Sequence, residues 1–196
     1  MGLKLDIVLA GVGGQGVLSI AAIIAGAARD DGLQVKQGEV HGMAQRGGAV
    51  QANLRIADHE IHSDLIAKGD ADLILSMEPL ESLRYLDYLA PTGTLVTSSD
   101  PVKNIDTYPP IEEVLDNVRK LPRVFLVETG ALAKQAGSPL ASNVVLVGAV
   151  ADMLPVEAET LEARIRRMFE RKGERIVDAN LKAFQAGREA VACEKS

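Results

Sequence analysis

Leu5-Asp6-Ile7-Val8-Leu9-Ala10 runs directly into Gly11-Val12-Gly13-Gly14-Gln15-Gly16. An apolar run bounded by glycine reads as a buried strand. The glycines then turn the chain into a helix from Val17 to about Arg29, rich in Ala and Ile. Gly11, Gly13 and Gly16 fit the G-x-G-x-x-G spacing. That spacing serves a tight turn, a close approach of backbone to ligand, and close packing of helix on strand. Free N–H groups at the start of such a helix favour an anion, typically a phosphate. The same glycines also suit a second reading, in which they provide only close strand–helix packing or a subunit contact.

Downstream, Asp30-Asp31-Gly32 ends the helix and Leu33 to Gln37 reads as a short second strand. In a dinucleotide-binding unit an acidic residue near the end of that strand holds a ribose hydroxyl. Glu39 is the candidate, but it follows Gly38 in a polar, glycine-rich stretch and reads better as a surface carboxylate. Next comes Glu39-Val40-His41-Gly42-Met43-Ala44-Gln45-Arg46-Gly47-Gly48. Its glycines permit sharp turns or close approach to another surface. Arg46 offers a rigid donor fork suited to phosphate or carboxylate, and His41 titrates near neutrality. A functional loop and an ordinary glycine-rich connection both fit this segment.

From Ala49 to Ile56 apolar and polar residues alternate, as in a half-buried strand, and Ile61 to Ser63 is expected to pair back as a short hairpin arm. A mixed sheet follows, with His59 and His62 on the exposed hairpin and no chemistry assigned to them. Ala71 to Ser76 is a buried strand, and Pro79 suits the first turn of a helix to about Leu89. Pro91-Thr92-Gly93 turns the chain into a strand over Thr94 to Thr97. Ser98 to Pro110 is a polar loop of unusual length, and such loops are often functional. A helix over Ile111 to Lys120, a last core strand over Arg123 to Val127 and a short helix over Glu128 to Gly137 follow. Ser142 is the expected N-cap of a helix over Asn143 to Leu154. From Glu157 the pattern is helical, interrupted at Gly173, with a tail expected to fray from Gly187.

The 196 residues are most simply one domain, 1–196. With 47% hydrophobic residues and no Trp, the core is built from Ala, Val, Leu and Ile. A net charge of −6 argues against a non-specific nucleic-acid binder. Cys193 is the single cysteine, which excludes an internal disulfide framework and a cysteine-ligated iron–sulfur cluster within one chain. His41, His59 and His62 lack zinc-ligand spacing. The N-terminus enters a strand directly, and no apolar run of membrane-spanning length is visible, so a cytoplasmic protein without a membrane role is expected.

The glycine turn Gly11–Gly16 followed by His41-Gly42-Met43-Ala44-Gln45-Arg46-Gly47-Gly48 resembles the gamma subunit or gamma domain of 2-oxoacid:ferredoxin oxidoreductases. The resemblance is strongest to the small (beta) subunits of the indolepyruvate-using members, which are similar in length. Met77-Glu78-Pro79-Leu80-Glu81, Ala141-Ser142-Asn143 with Gly148, and Asn180 with Ala183 and Gly187 extend it over nearly the whole chain. It implies an α/β fold, three-layer α/β/α, with a mixed, Rossmann-like central sheet and C-terminal helices. It also implies a non-autonomous subunit of an enzyme that oxidatively decarboxylates a 2-oxoacid, such as indolepyruvate or pyruvate, to an acyl-CoA and reduces ferredoxin.

Thiamine diphosphate, Mg2+ and iron–sulfur clusters are then expected on larger partner subunits, with coenzyme A as co-substrate and no cofactor held by this chain alone. Ferredoxin is an indirect partner. The resemblance places Gly11, Gly13, Gly14, Gln15, Gly16, Arg46, Gly47 and Gly48 in motif positions that supply donors towards the partner's active site or the coenzyme A phosphates. No residue is assigned a catalytic role. Two alternatives use the same first loop: a free-standing NAD(P)- or FAD-dependent enzyme, and a nucleotide- or CoA-binding regulatory module. A hydrolase has no support, since no G-x-S-x-G elbow is present.

Overall fold

The computed structural model describes residues 2–41, 47–103, 105 and 107–194. Along the chain, β1 (Lys4–Val12), α1 (Val17–Asp30), β2 (Gln34–His41), β3 (Ala49–Ala57), β4 (Ala71–Ser76), α2 (Pro79–Arg84) and β5 (Leu89–Ser98) come first. They are followed by α3 (Ile111–Arg119), β6 (Val124–Val127), α4 (Thr129–Gln135), α5 (Ser142–Val150), α6 (Ala158–Phe169) and α7 (Glu174–Glu194). The six strands form one sheet in the order β2-β3-β1-β4-β5-β6. β3 runs antiparallel to both β1 and β2, while β1, β4, β5 and β6 are mutually parallel. The sheet is therefore mixed.

Alternation along the central strands sorts the core into two layers. Ile7 and Leu9 of β1, Leu73 and Leu75 of β4, and Val96 of β5 pack on the face covered by α1 and the C-terminal helices. Val8, Ile74 and Leu95 point the other way, against Leu83 of α2 and Val118 of α3. Both faces of the central strands are buried, so their sequences read as continuous apolar runs. This is the expected three-layer α/β/α arrangement.

α5 is apolar all round, with every residue from Asn143 to Val150 buried. It crosses α7 at two glycines: a Cβ on Gly148 would lie 1.9 Å from the Phe184 carbonyl oxygen, and one on Gly187 would lie 1.9 Å from that of Val145. Gly187 thus stands inside a helix–helix contact. The expected fraying from Gly187 is wrong, because the backbone contact holds the last turns and α7 continues to Glu194.

Three other expectations change. Ile61 to Ser63 forms no strand. Arg55 instead pins that segment, donating from Nη1 to the carbonyl oxygens of Ser63 and Leu65 at 3.1 Å each. The same guanidinium holds buried Asp6 with two bonds, at 2.8 and 3.1 Å. Because the segment crosses the polar face of the sheet, with Asp64 lying over Gly38, β3 is buried on both faces and Asn53 is 3% exposed. β5 begins at Leu89 and carries Pro91 and Gly93 within it, accommodated by a register irregularity opposite Ala71 and Leu73. Ser142 is the first residue of α5 rather than its cap; Ala141 holds that position without a side-chain bond.

Candidate functional site

The edge of the sheet at the C-terminal ends of β1 and β4 collects the residues singled out in the sequence. β1 leads through α1 towards β2, and β4 leads through α2 to β5. The chain therefore leaves the two neighbouring parallel strands in opposite directions, the topological switch point at which open α/β sheets bind ligands. Gly13, Gly14, Gln15 and Gly16 form the turn there. Gly14 and Gly16 have φ of 103° and 87°, a region open to glycine at little cost. A Cβ on Gly14 would meet nothing within 4 Å among the described residues, so they leave the turn open above it. Gly11 is closed in: a Cβ there would lie 2.8 Å from Val17 and 3.0 Å from both Gln15 and Met77.

Gln15 is the internal strut of this turn. Its Oε1 accepts the Val12 N–H at 2.7 Å, and its Nε2 donates to the Met77 carbonyl at 3.0 Å. The amide spans the gap between β1 and β4, where the crevice of a dinucleotide fold would begin. Gln15 thereby holds the loops in register, with both ends of its side chain engaged.

The second glycine motif reaches the same edge because β3 lies antiparallel beside β1, pairing Val12 with Ala49. The connection from β2 to β3 must then turn next to the end of β1. Gly13 N–H donates to the Gly48 carbonyl at 2.8 Å, and Gly47 N–H to the Gly13 carbonyl at 3.3 Å. The structure thus brings together Gly11, Gly13, Gly14, Gln15, Gly16, Gly47 and Gly48. Arg46 and the His41 side chain lie outside the described residues. Glu39 does not join the group: β3 intervenes between β2 and β1, which removes Glu39 by two strand spacings, roughly 9–10 Å, from the turn. Its carboxylate accepts instead from Gln37 Nε2 at 2.8 Å. The acid that would hold a ribose beside the glycine turn is thus missing from this position.

A buried carboxylate that the sequence marks only as part of the resemblance, with no role assigned to it, stands next to Met77. Glu78, 1% exposed, accepts the Glu81 N–H at 2.7 Å as the cap of α2 and the Val102 N–H at 3.4 Å. Tyr108 O–H also donates to it. Burial, and then the bond to Glu78, push the Tyr108 phenol above its ordinary range, so it stays a donor. These contacts draw the long segment after β5 down onto the start of α2. At its other end Asp100 accepts from Gly130 N–H at 2.7 Å and Thr129 Oγ1 at 2.9 Å. Glu81, itself 3% exposed, has its carboxyl raised, chiefly by burial, with Arg84 opposing. A signal was present in the sequence: a carboxylate directly after an apolar strand and before proline.

The site has the chemistry of a docking and binding edge. It offers backbone donors, an open turn and anchored loops. Among the described residues there is no group of three or more His, Cys, Asp or Glu able to hold a metal ion, and no helix long and apolar enough to cross a membrane.

The pyruvate ferredoxin/flavodoxin oxidoreductase family model matches residues 6–190. The chain belongs to this family. Within it, the protein is similar to the indolepyruvate oxidoreductase subunit IorB of Archaeoglobus fulgidus, with 40% identity over 94% of each chain. It is also similar to the keto/oxoacid ferredoxin oxidoreductase gamma subunit of Geobacter sulfurreducens, at 28% identity and a TM-score of 0.71, covering 96% of this chain and 99% of that one. The fold recurs, at 23% identity and a TM-score of 0.76, in the 2-oxoglutarate:ferredoxin oxidoreductase of Magnetococcus marinus, a structure with 2-oxoglutarate, coenzyme A and succinyl-CoA bound. There the match takes in 97% of this chain but 31% of the other. Family membership makes this protein a small subunit of a 2-oxoacid:ferredoxin oxidoreductase. It also disposes of the free-standing dinucleotide enzyme, with which the displaced Glu39 already disagrees.

Proposed function

We propose that the whole span 1–196 acts as one gamma-type domain whose glycine edge forms part of the coenzyme A site of an assembled 2-oxoacid oxidoreductase. The observation that carries this reading is the pairing of the two glycine motifs through Gly13, Gly47 and Gly48 beside an open Gly14. In this reading Gly11 and Gln15 shape the turn. Gly13, Gly14, Gly16, Gly47 and Gly48 let another surface approach the backbone, and Arg46 adds a charged fork for phosphate. Thiamine diphosphate, Mg2+ and the iron–sulfur clusters belong to larger cytoplasmic partner subunits, since one cysteine cannot ligate a cluster. Those partners would perform the decarboxylation and pass electrons to ferredoxin. Likeness to the indolepyruvate subunit favours an aryl pyruvate as substrate.

Gly14→Ala tests the reading. No atom of the described residues obstructs the new Cβ, and the positive φ costs roughly 1–2 kcal/mol, which a domain of this size tolerates. In the complex reconstituted with its partner subunits, the expected result is a KM for coenzyme A raised about tenfold or more, with the KM for the 2-oxoacid little changed. An unaltered coenzyme A KM in a fully assembled Gly14→Ala complex would overturn it.

A further inference from the structure

Although the chain has a net charge of −6, the stretch from Arg164 to Arg175 is basic. It carries Arg164, Arg166, Arg167, Arg171, Lys172 and Arg175 against two carboxylates, Glu170 and Glu174. The stretch spans the second half of α6, the turn at Gly173 and the start of α7. The fold accounts for part of this charge. Arg166 and Arg167 stand in the last turn of α6, where a cation complements the helix dipole. Arg164 is paired with Asp30, and Arg166 with Glu174 at 2.7 Å, which ties the end of α6 to the start of α7.

Arg175 is not accounted for in this way. It is the second residue of α7, at the end of a helix where the dipole disfavours a cation. Arg171 and Arg175 are both exposed, and among the described residues neither guanidinium has a hydrogen bond or ion pair. Lys172 Nζ stands beside them, 5.3 Å from the centre of the Phe169 ring. The placement of this corner follows from how α6 packs. Asp31, at the end of α1, accepts the Glu157 N–H at 3.1 Å and Thr160 Oγ1 at 2.9 Å, and Arg164 lies over Gly26. The two helices therefore run antiparallel. One further turn sets Met168 alongside Ala22 and carries the basic corner towards the start of α1, where Leu18 is 41% exposed. Exposed Met168 and Leu18 beside unpaired arginines have the make-up of a protein interface, with an apolar centre and a charged rim.

We propose that this corner, centred on Arg171, Lys172 and Arg175, docks on an acidic surface of the larger partner subunit. The charge of the corner fixes the charge of its partner. An acidic surface is drawn to these residues and repelled by the rest of an acidic chain, so the attraction also sets orientation. A nucleic acid or an anionic membrane would bring its charge against the surrounding acidic surface as well, which favours a protein. Naming that protein as the larger subunit rests on the functional reading above; the acidic character of the partner does not. Because α1 begins at the glycine turn, a subunit held at this corner lies next to the glycine edge. Arg175 weakens the start of α7 in the free chain and gains a partner only in the complex. Replacing it therefore has opposite effects on stability and on docking.

The test measures association of the full chain with its purified larger subunit at about 0.05 M and about 0.5 M salt. At low salt Arg171→Glu and Arg175→Glu should each weaken association about tenfold or more, and the double variant should lose most of the salt dependence. Lys120→Glu makes the same change of charge at the end of α3, on the opposite face of the sheet, and should leave both quantities unchanged. The isolated Arg175→Glu chain should melt no lower than wild type, because a carboxylate suits the start of a helix. A lower melting temperature would assign Arg175 to folding instead. If both arginine variants associate like wild type, or if Lys120→Glu weakens association equally, the inference is wrong. Binding to phosphatidylserine vesicles or duplex DNA that Arg175→Glu abolishes, with subunit association intact, would also overturn it. The coenzyme A reading fails separately, through an unaltered coenzyme A KM in the fully assembled Gly14→Ala complex, a readout that subunit affinity does not enter.

Discussion

Gly148 and Gly187 face each other's helices at distances that leave no room for a methyl group, whereas a methyl on Gly14 would meet none of the described residues, and its backbone lies in the left-handed half of conformational space. The first pair carries no positive φ; it is glycine because backbone meets backbone. Gly14 is glycine because the turn demands its φ. Residues of one type thus mark two different regions, a closed helix crossing that holds the fold together and an open edge that is free to meet something else. Glu78 sits between these extremes, buried like the crossing but anchoring the loop that borders the edge.

Substitution at the crossing has the largest expected effect. Gly187→Ala places a methyl 1.9 Å from the Val145 carbonyl oxygen, and helix backbone cannot yield as a flexible side chain can. A loss of about 3 kcal/mol or more is expected, beyond ordinary overpacking, and urea denaturation of the full chain measures it. A loss below about 1 kcal/mol would mean that the helices slide apart freely, and the distinction between closed and open glycines would collapse.

Tyr108→Phe should fall in the middle. It removes one bond to Glu78 and is expected to cost about 1–3 kcal/mol locally. Hydrogen exchange should report faster opening at Val102, whose N–H shares the same carboxylate, with little change at the α5–α7 crossing. Equal acceleration in both places would show that loop and crossing unfold as one unit.

The smallest effect concerns Glu81. Burial raises its folded-state pKa above the ordinary carboxylate value, so the folded protein binds the proton more tightly than the unfolded chain. The resulting stability is complete below about pH 4.5 and declines as pH rises through the raised folded value. Glu81→Gln removes this dependence. Its stability relative to wild type should therefore improve between pH 4 and pH 7 in paired denaturation curves, despite the loss of the Arg84 pair. A relative stability that worsens over that interval would show the Arg84 attraction to dominate.

How much of this was legible beforehand depends on the range of the cause. The first strand, the glycine turn and α1 follow from adjacent residues, and each stands where the pattern puts it. The long loop after β5 was equally plain from Ser98 to Pro110. Ile61 to Ser63 misled because an extended apolar segment looks the same whether a ladder or a distant guanidinium holds it; Arg55 made the choice. Gly187 looked like a helix breaker near a chain end because its partner, Val145, lies over forty residues earlier. Gln15 read as a donor for a ligand, but its amide is engaged by Val12 and Met77, two positions the motif spacing does not describe.

What the sequence by itself determined is the fold class, the glycine turn at the end of the first strand and, through its paired motifs, the family. Those rest on local spacing and backbone conformational preference, which need no knowledge of distant residues. What only the tertiary structure decided is the company these motifs keep. The antiparallel insertion of β3 brings Gly47 and Gly48 to Gly13 and carries Glu39 away. The packing of α5 sets Asn143 against Gly16, and Glu78 gathers the loop through Tyr108. Such contacts depend on strand order and helix docking, which arise from the burial of the whole core rather than from any short stretch of chain.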